Sequence, residues 1–245
     1  MSLDSIWIFL VPIVVIAGVV RGYAGFGFAA VAVVCMNFLL DPQQSIPVIV
    51  GLDLLCSAPL LRQAVDQADM PTFKLLTLGS ILGIPVGLAL LLVVPSEMLK
   101  LGICVLILVF ALLLAFDVRF RGTETARTKL GFGIFAGAGT SGSSVGGPII
   151  VCYMLSSQLS SSAQRATMIM FFVVSEMIAL VALFSGGLVD FEVVKMTLIL
   201  LVPTLIGVRV GQALFNRKPP ASLKQFALPL MFMIAVLGIS ATAGS

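Results

Sequence analysis

Histidine is absent from the 245 residues. The commonest general base and the commonest metal ligand are therefore missing. Charge is scarce too: Asp, Glu, Lys and Arg make up 10% of the chain, against about a quarter in a soluble domain. The formal net charge of +3 is scattered, so no basic patch invites nucleic acid. The four cysteines, Cys35, Cys56, Cys104 and Cys152, stand singly inside apolar runs. With no CxxC or Cys/His spacing they give no zinc or redox framework and read as packing residues. No GxxxxGK[ST] segment occurs, so nothing points to nucleotide hydrolysis as an energy source. Without histidine or a nucleophile–base pair, no catalytic residue and no cofactor is expected. The first residues, MSLDSIWIFLVPIVV, lack a basic n-region and a small-residue cleavage site. They read as the start of a helix rather than a signal peptide.

What the chain has is hydrocarbon. Hydrophobic residues make up 60% of it, and the mean hydropathy is +1.18. A bilayer core of about 30 Å is crossed by about 20 apolar residues of helix. Full spans are expected at 43–61, 75–94, 98–116, 166–187, 195–215 and 225–243. Two further zones, 6–40 and 130–156, each hold two apolar pieces around a glycine-rich break. The class expected is an all-α polytopic membrane protein whose partners are the lipid bilayer and a small solute.

The chain also repeats itself. A shift of 120 lays Arg21-Gly22 on Ser141-Gly142, Gly27 on Gly147 and Gln44 on Gln164. A shift of 121 lays Asp69 on Asp190, and a shift of 124 lays Gly83 and Gly87 on Gly207 and Gly211. The same shift of 124 brings Pro95, Leu99 and Lys100 onto Pro219, Leu223 and Lys224. Two repeats of five helical segments follow, 1–116 and 130–245, joined by a linker at 117–129. That linker carries Arg119, Arg121, Arg127 and Lys129 against Asp117 and Glu124, and the loop at 215–224 carries Arg217, Lys218 and Lys224 with no acid. Both loops are expected in the cytoplasm by the positive-inside rule. Counting spans from them puts both termini outside. An odd number of segments per repeat then inverts one half relative to the other, a hallmark of secondary transporters.

The first break reads Arg21-Gly-Tyr-Ala-Gly-Phe-Gly-Phe28 and the second Gly137-Ala-Gly-Thr-Ser-Gly-Ser-Ser-Val-Gly-Gly-Pro148. Each glycine costs roughly 1 kcal/mol in a helix interior. Irregular backbone at membrane depth persists only where protein or a wet cavity surrounds it. Leu130–Gly139 is expected to form a piece of about 15 Å, half a bilayer. The pieces after the breaks are expected to begin near Gly27 and Gly147, presenting free N–H groups and positive dipole ends to an anion. Candidate substrate contacts are Arg21, Gly22, Gly25, Gly27, Thr140, Ser141, Gly142, Ser143, Ser144, Gly146 and Gly147. The competing reading makes the glycines helix-packing contacts, the hydroxyls partners of nearby carbonyls, and Arg21 an interfacial residue that snorkels.

Charges inside apolar segments are functional candidates by default. Asp53 lies mid-segment, and Glu176 lies one helical turn from the matching place in the second half. Carboxylates so placed can carry protons. Their alternative is structural pairing with Arg21, Arg62 or Arg165. Arg209 lies near the end of its segment and reads as interfacial. Together these features point to a secondary transporter of a small anion, coupled through Asp53 and Glu176 to protons. An uncoupled anion or organic-solute channel with the same site is the alternative.

At its two breaks the chain resembles the TauE/SafE sulfite-exporter family, whose halves each carry a Ser-Gly-x-x-Gly-x-Gly-Gly-type segment. Here the counterparts are Arg21–Phe28 and Ser141–Pro148. Arg21 stands where the first motif has a small residue, Phe28 interrupts its glycines, and Val145 replaces a glycine of the second. The resemblance spans nearly the whole chain. It implies export of sulfite or an organosulfonate across the bacterial inner membrane, by a protein that is not an enzyme.

Overall fold

A computed structural model describes residues 3–115 and 125–217. The expected span 225–243, most of the linker 117–129 and the end of the basic loop 215–224 lie outside the described residues. Every element among them is a helix. The first half has α1 (Leu3–Ala24), α2 (Phe28–Met36), α3 (Pro42–Val65), α4 (Met70–Val93) and α5 (Ser96–Ala115). The second half has α6 (Ala126–Ser143), α7 (Gly146–Ser156), α8 (Ser161–Ser185) and α9 (Phe191–Arg217).

Four stretches are long and apolar enough to cross a membrane: Ile6–Ala24, Met70–Val93, Ser161–Ser185 and Phe191–Arg217. The outward faces agree with a lipid surround. On α9, Leu198, Val202, Ile206, Val210 and Leu214 form an exposed stripe at a spacing of four. That stripe would be an aggregation site in water and is the expected surface in a bilayer. The opposite face carries Thr197, Thr204, Gly207 and Gly211, all buried. Arg209 is exposed on the same helix.

Two helix pairs dominate the packing: α4 lies along α6, and α1 lies along α9. Both depend on glycine. A Cβ at Gly83 would overlap the backbone of Ile134 on α6, and one at Gly207 would overlap the backbone of Val15 on α1. Close backbone approach of this kind replaces the hydrophobic effect as the glue between helices in lipid.

This packing corrects one expectation. The piece before the second break is not a ten-residue half-helix. α6 runs for 18 residues, about 27 Å, because Gly133 and Gly137 seat against α4 at Leu76 and Ser80 instead of breaking the helix. α1 likewise runs for 22 residues. The short pieces are those after the breaks, nine residues in α2 and 11 in α7.

Helix starts differ in their caps. Four of them carry a side-chain cap: Asp69 accepts from the Thr72 N–H at 3.0 Å, Thr125 from Thr128 at 3.3 Å, Ser160 from Ala163 at 3.3 Å and Asp190 from Val193 at 2.8 Å. The caps Gly27 of α2 and Val145 of α7 offer no side-chain acceptor. Both of these helices begin inside the protein.

Candidate functional site

Arg21 lies in the last turn of α1 and is 1% exposed. A snorkelling arginine would reach the surface; this one turns inward. Its Nε lies 3.0 Å from Asp53 Oδ1 on α3, and its Nη2 lies 4.0 Å from Glu176 Oε1 on α8. Nη1 donates to the Gly25 carbonyl at 3.1 Å, and Nη2 donates to the Ser57 hydroxyl. The Phe172 ring faces the guanidinium at 5.0 Å, a cation–π contact strengthened by burial. Of the pairings considered from sequence for these carboxylates, the structure takes the one with Arg21.

The neighbours follow from helical spacing. Val50, Asp53 and Ser57 share one face of α3, and Phe172 and Glu176 are one turn apart on α8. Ser57 donates to the Asp53 carbonyl at 2.6 Å, so it ties Arg21 to the α3 backbone. Ser57 and Phe172 were not singled out in the sequence. The signal for both was an i,i+4 offset from a carboxylate in an apolar run.

Beside this triad lies a cavity of about 20 Å³, room for about one water molecule. Gly27, Ala29 and Ala30 of the first α2 turn line one wall. Gly146, Gly147 and Pro148 of the first α7 turn line another, with Thr140 and Ser144. Arg21, Asp53, Glu176, Phe172 and Val50 complete it. The first three N–H groups of a helix have no partner within it. Here Phe28, Ala29, Ala30, Gly146 and Gly147 supply such groups, and Pro148 supplies none. The break itself needs left-handed backbone, with Gly25 at φ 79° and Gly27 at φ 93°, which a Cβ would strain. Ser144 adopts φ 54° at the second break.

Four polar side chains lining this cavity, Arg21, Asp53, Ser144 and Glu176, each have a buried atom without a hydrogen bond, and two of those atoms, Arg21 Nε and Asp53 Oδ1, face each other as an ion pair at 3.0 Å. Buried polar groups are nearly always satisfied, so such a cluster marks a place for water, ion or substrate. The 3.0 Å approach of Arg21 to Asp53 is thus electrostatic contact and leaves hydrogen-bonding capacity on both partners.

The candidate residues separate into two groups. Arg21, Gly27, Thr140, Ser144, Gly146 and Gly147 meet at the cavity together with Asp53 and Glu176. The others face elsewhere. A Cβ at Gly22 would strike the α9 backbone at Val208, and one at Gly142 the α4 backbone at Gly87. Gly25 holds the stem of Arg165. Ser141 donates to the Ile84 carbonyl at 2.7 Å, and Ser143 to the Gly139 carbonyl at 2.9 Å. Thr140 lines the cavity but gives its proton to the Ala136 carbonyl at 2.9 Å, leaving its oxygen as an acceptor.

The family model for the sulfite exporter TauE/SafE matches residues 10–238, nearly the whole chain. No curated protein and no solved structure matches it.

Proposed function

The chain belongs to the sulfite exporter TauE/SafE family, a family of membrane transporters, and on that premise we propose that it carries sulfite or an organosulfonate across the bacterial inner membrane, coupled to protons. The observation that carries this reading is the small cavity between two uncapped helix N-termini, lined by the buried Arg21–Asp53–Glu176 triad and by Ser144.

An oxyanion there accepts from the first-turn N–H groups of α2 and α7, from the Ser144 hydroxyl and from Arg21. Helix dipoles favour a negative charge at both ends, and the low dielectric strengthens every one of these contacts. The carboxylates oppose it. With Asp53 and Glu176 both ionised, the triad carries one net negative charge and repels an anion. One proton on the pair makes the triad neutral, and a second makes it positive. Anion binding and protonation therefore favour each other, and by linkage each raises the affinity for the other. The direction of net flux follows the sum of the anion and proton gradients. The proton linkage at the triad is what favours a coupled transporter over the uncoupled channel.

The two inverted repeats are part of the same proposal, and the helix contacts support them. α4 packs on α6 as α9 packs on α1. Gly83 faces Ile134 where Gly207 faces Val15, and Gly87 faces Ala138 where Gly211 faces Val19. Exchanging the halves exchanges the contacts. α2 and α7 are then the re-entrant pieces meeting near the midplane.

The test is flux of sulfite and of a sulfonate into proteoliposomes holding the purified chain. Acidifying the side of anion uptake should accelerate entry. Flux that ignores the proton gradient assigns the chain to the uncoupled channel, and an absence of flux for both anions sinks the substrate assignment.

A further inference from the structure

A second arginine is buried a short way from the first. Arg165, in the second turn of α8, is 6% exposed. Its Nη2 donates to the Gly22 carbonyl at 3.1 Å, its stem lies against Gly25, and its Cζ sits 4.2 Å from the Phe215 ring centroid. Unlike Arg21, it has no carboxylate at ion-pair distance among the described residues, and its Nε has no hydrogen-bond partner. A buried cation left unpaired costs several kcal/mol. One carbonyl and one aromatic ring offset only part of that cost.

Arg165 lines a separate opening of about 30 Å³ together with Gln63 from the end of α3, Gln67 from the turn after it, Ser162 and Phe215. The polar groups at this mouth are amides, a hydroxyl and a guanidinium, with no acid among them. Gln63, Gln67 and Ser162 are exposed at its rim. The matching position in the first half differs. The shift that lays Gln44 on Gln164 puts Ser45 opposite Arg165, and the buried Ser45 hydroxyl donates to Asn37 Oδ1. A neutral, satisfied pair stands where the second half keeps a lone cation.

We propose that Arg165, with Gln63, Gln67 and Ser162, forms a second binding site for a small oxyanion, an entry site on one side only of the central cavity. The proposal rests on the anion-transport reading for its substrate class. The guanidinium supplies the charge and a planar fork, and the glutamine amides and the serine hydroxyl supply neutral donors. Its contacts with Gly22 and Gly25 fall on the first break, on either side of which Arg21 and Gly27 face the central cavity. An anion held at Arg165 is thus linked, through the guanidinium, to the backbone of the break beside the central cavity.

The experiment is equilibrium binding of radiolabelled sulfite to the full chain in phospholipid-free detergent. The wild type should bind about two sulfite ions per chain, the outer one weakened about ten- to a hundredfold in Arg165→Gln. Gln67→Glu should do the same, because a carboxylate at the mouth pairs with Arg165; the position is exposed, so this variant decides the matter if Arg165→Gln does not fold. Arg21→Ala should weaken the inner ion by about ten- to a hundredfold and leave the outer one unchanged. Wild-type stoichiometry of about one, unchanged in Arg165→Gln and lost in Arg21→Ala, overturns the entry site while the central site stands. Binding lost in Arg165→Gln and untouched in Arg21→Ala instead sinks the central site. Displacement of the outer sulfite by added phosphatidylglycerol overturns the entry role and gives Arg165 to a lipid phosphate.

Discussion

Removing a carboxylate next to an anion site should make the anion bind more tightly in alkaline solution, and Asp53→Asn is the place to see it. On the proposed mechanism, the anion competes in the wild type with the net negative charge of the Arg21–Asp53–Glu176 triad unless a proton neutralises it. A sulfonate with no other titrating group, such as methanesulfonate, keeps its own charge fixed across the pH range. Its affinity for the wild type should fall by about tenfold per pH unit once that proton leaves. Asp53→Asn leaves Arg21 and Glu176 as a neutral pair 4.0 Å apart, so the slope should vanish. At about 6 Å and an effective dielectric of about 20, one unit charge shifts the energy of an anion by about 3 kcal/mol, or about two decades in affinity. The variant should therefore bind methanesulfonate about a hundredfold more tightly than the wild type at the alkaline end. Losing one partner of a buried pair costs about 3–5 kcal/mol when the other is stranded. Here Glu176 remains as counter-ion, so the loss should be smaller and the protein should stay monodisperse. The assay is a binding titration at a series of pH values. A variant that keeps the wild-type slope, or binds more weakly than the wild type at high pH, refutes the coupling mechanism.

Glu176→Gln leaves the closer pair, Arg21 and Asp53 at 3.0 Å, and should likewise flatten the pH dependence of flux in proteoliposomes. Gly83→Leu and Gly207→Leu push a side chain into backbone and should each cost more than the 1–3 kcal/mol typical of overpacking. Gly102→Ala and Gly131→Ala, with nothing within 4 Å of the added Cβ, should leave thermal stability unchanged or raise it by up to about 1 kcal/mol. Equal melting shifts in the two sets would remove the case for glycine-mediated packing. Single cysteines placed in the basic loops 117–129 and 215–224, with Cys35, Cys56, Cys104 and Cys152 replaced, should resist an impermeant thiol reagent in intact cells. Ready labelling there would reverse the topology.

Charge and glycine carried most of what the sequence disclosed. Arg21, Asp53 and Glu176 stand out because a charge in an apolar run is costly, and the same cost draws them together in the fold. The starts of α2 and α7 at Phe28 and Gly146 fall within a residue of where the glycine clusters put them. What the pattern could not separate was the two uses of glycine. Gly22 and Gly27 look alike in sequence, but one is pressed against α9 and the other faces the cavity. That difference depends on which helix lies alongside, and a local motif does not contain it. The same ambiguity hid the length of α6, whose glycines serve its contact with α4. Serine was ambiguous for a related reason. Ser141 and Ser143 bond carbonyls of the helices, while Ser144 keeps a free hydroxyl at the cavity. Arg165 entered the sequence reading only as a candidate partner for the carboxylates, and in the fold it is buried with neither of them at ion-pair distance.

The central claim is that a small oxyanion binds between the N-termini of α2 and α7, facing Arg21. Equilibrium binding of sulfite and methanesulfonate to monodisperse Arg21→Ala, Arg21→Lys and Gly147→Leu tests it directly. A Cβ at Gly147 meets only the edge of Phe172, at 3.7 Å, so the leucine should fold and fill the cavity. Arg21→Ala should lose one to two decades of affinity at the inner site, the worth of a charge-assisted bond of about 1.5–3 kcal/mol. Arg21→Lys, which keeps the charge without the planar fork, should lose less, and Gly147→Leu should lose more than either. Wild-type affinity at every site in both Arg21→Ala and Gly147→Leu would contradict the account.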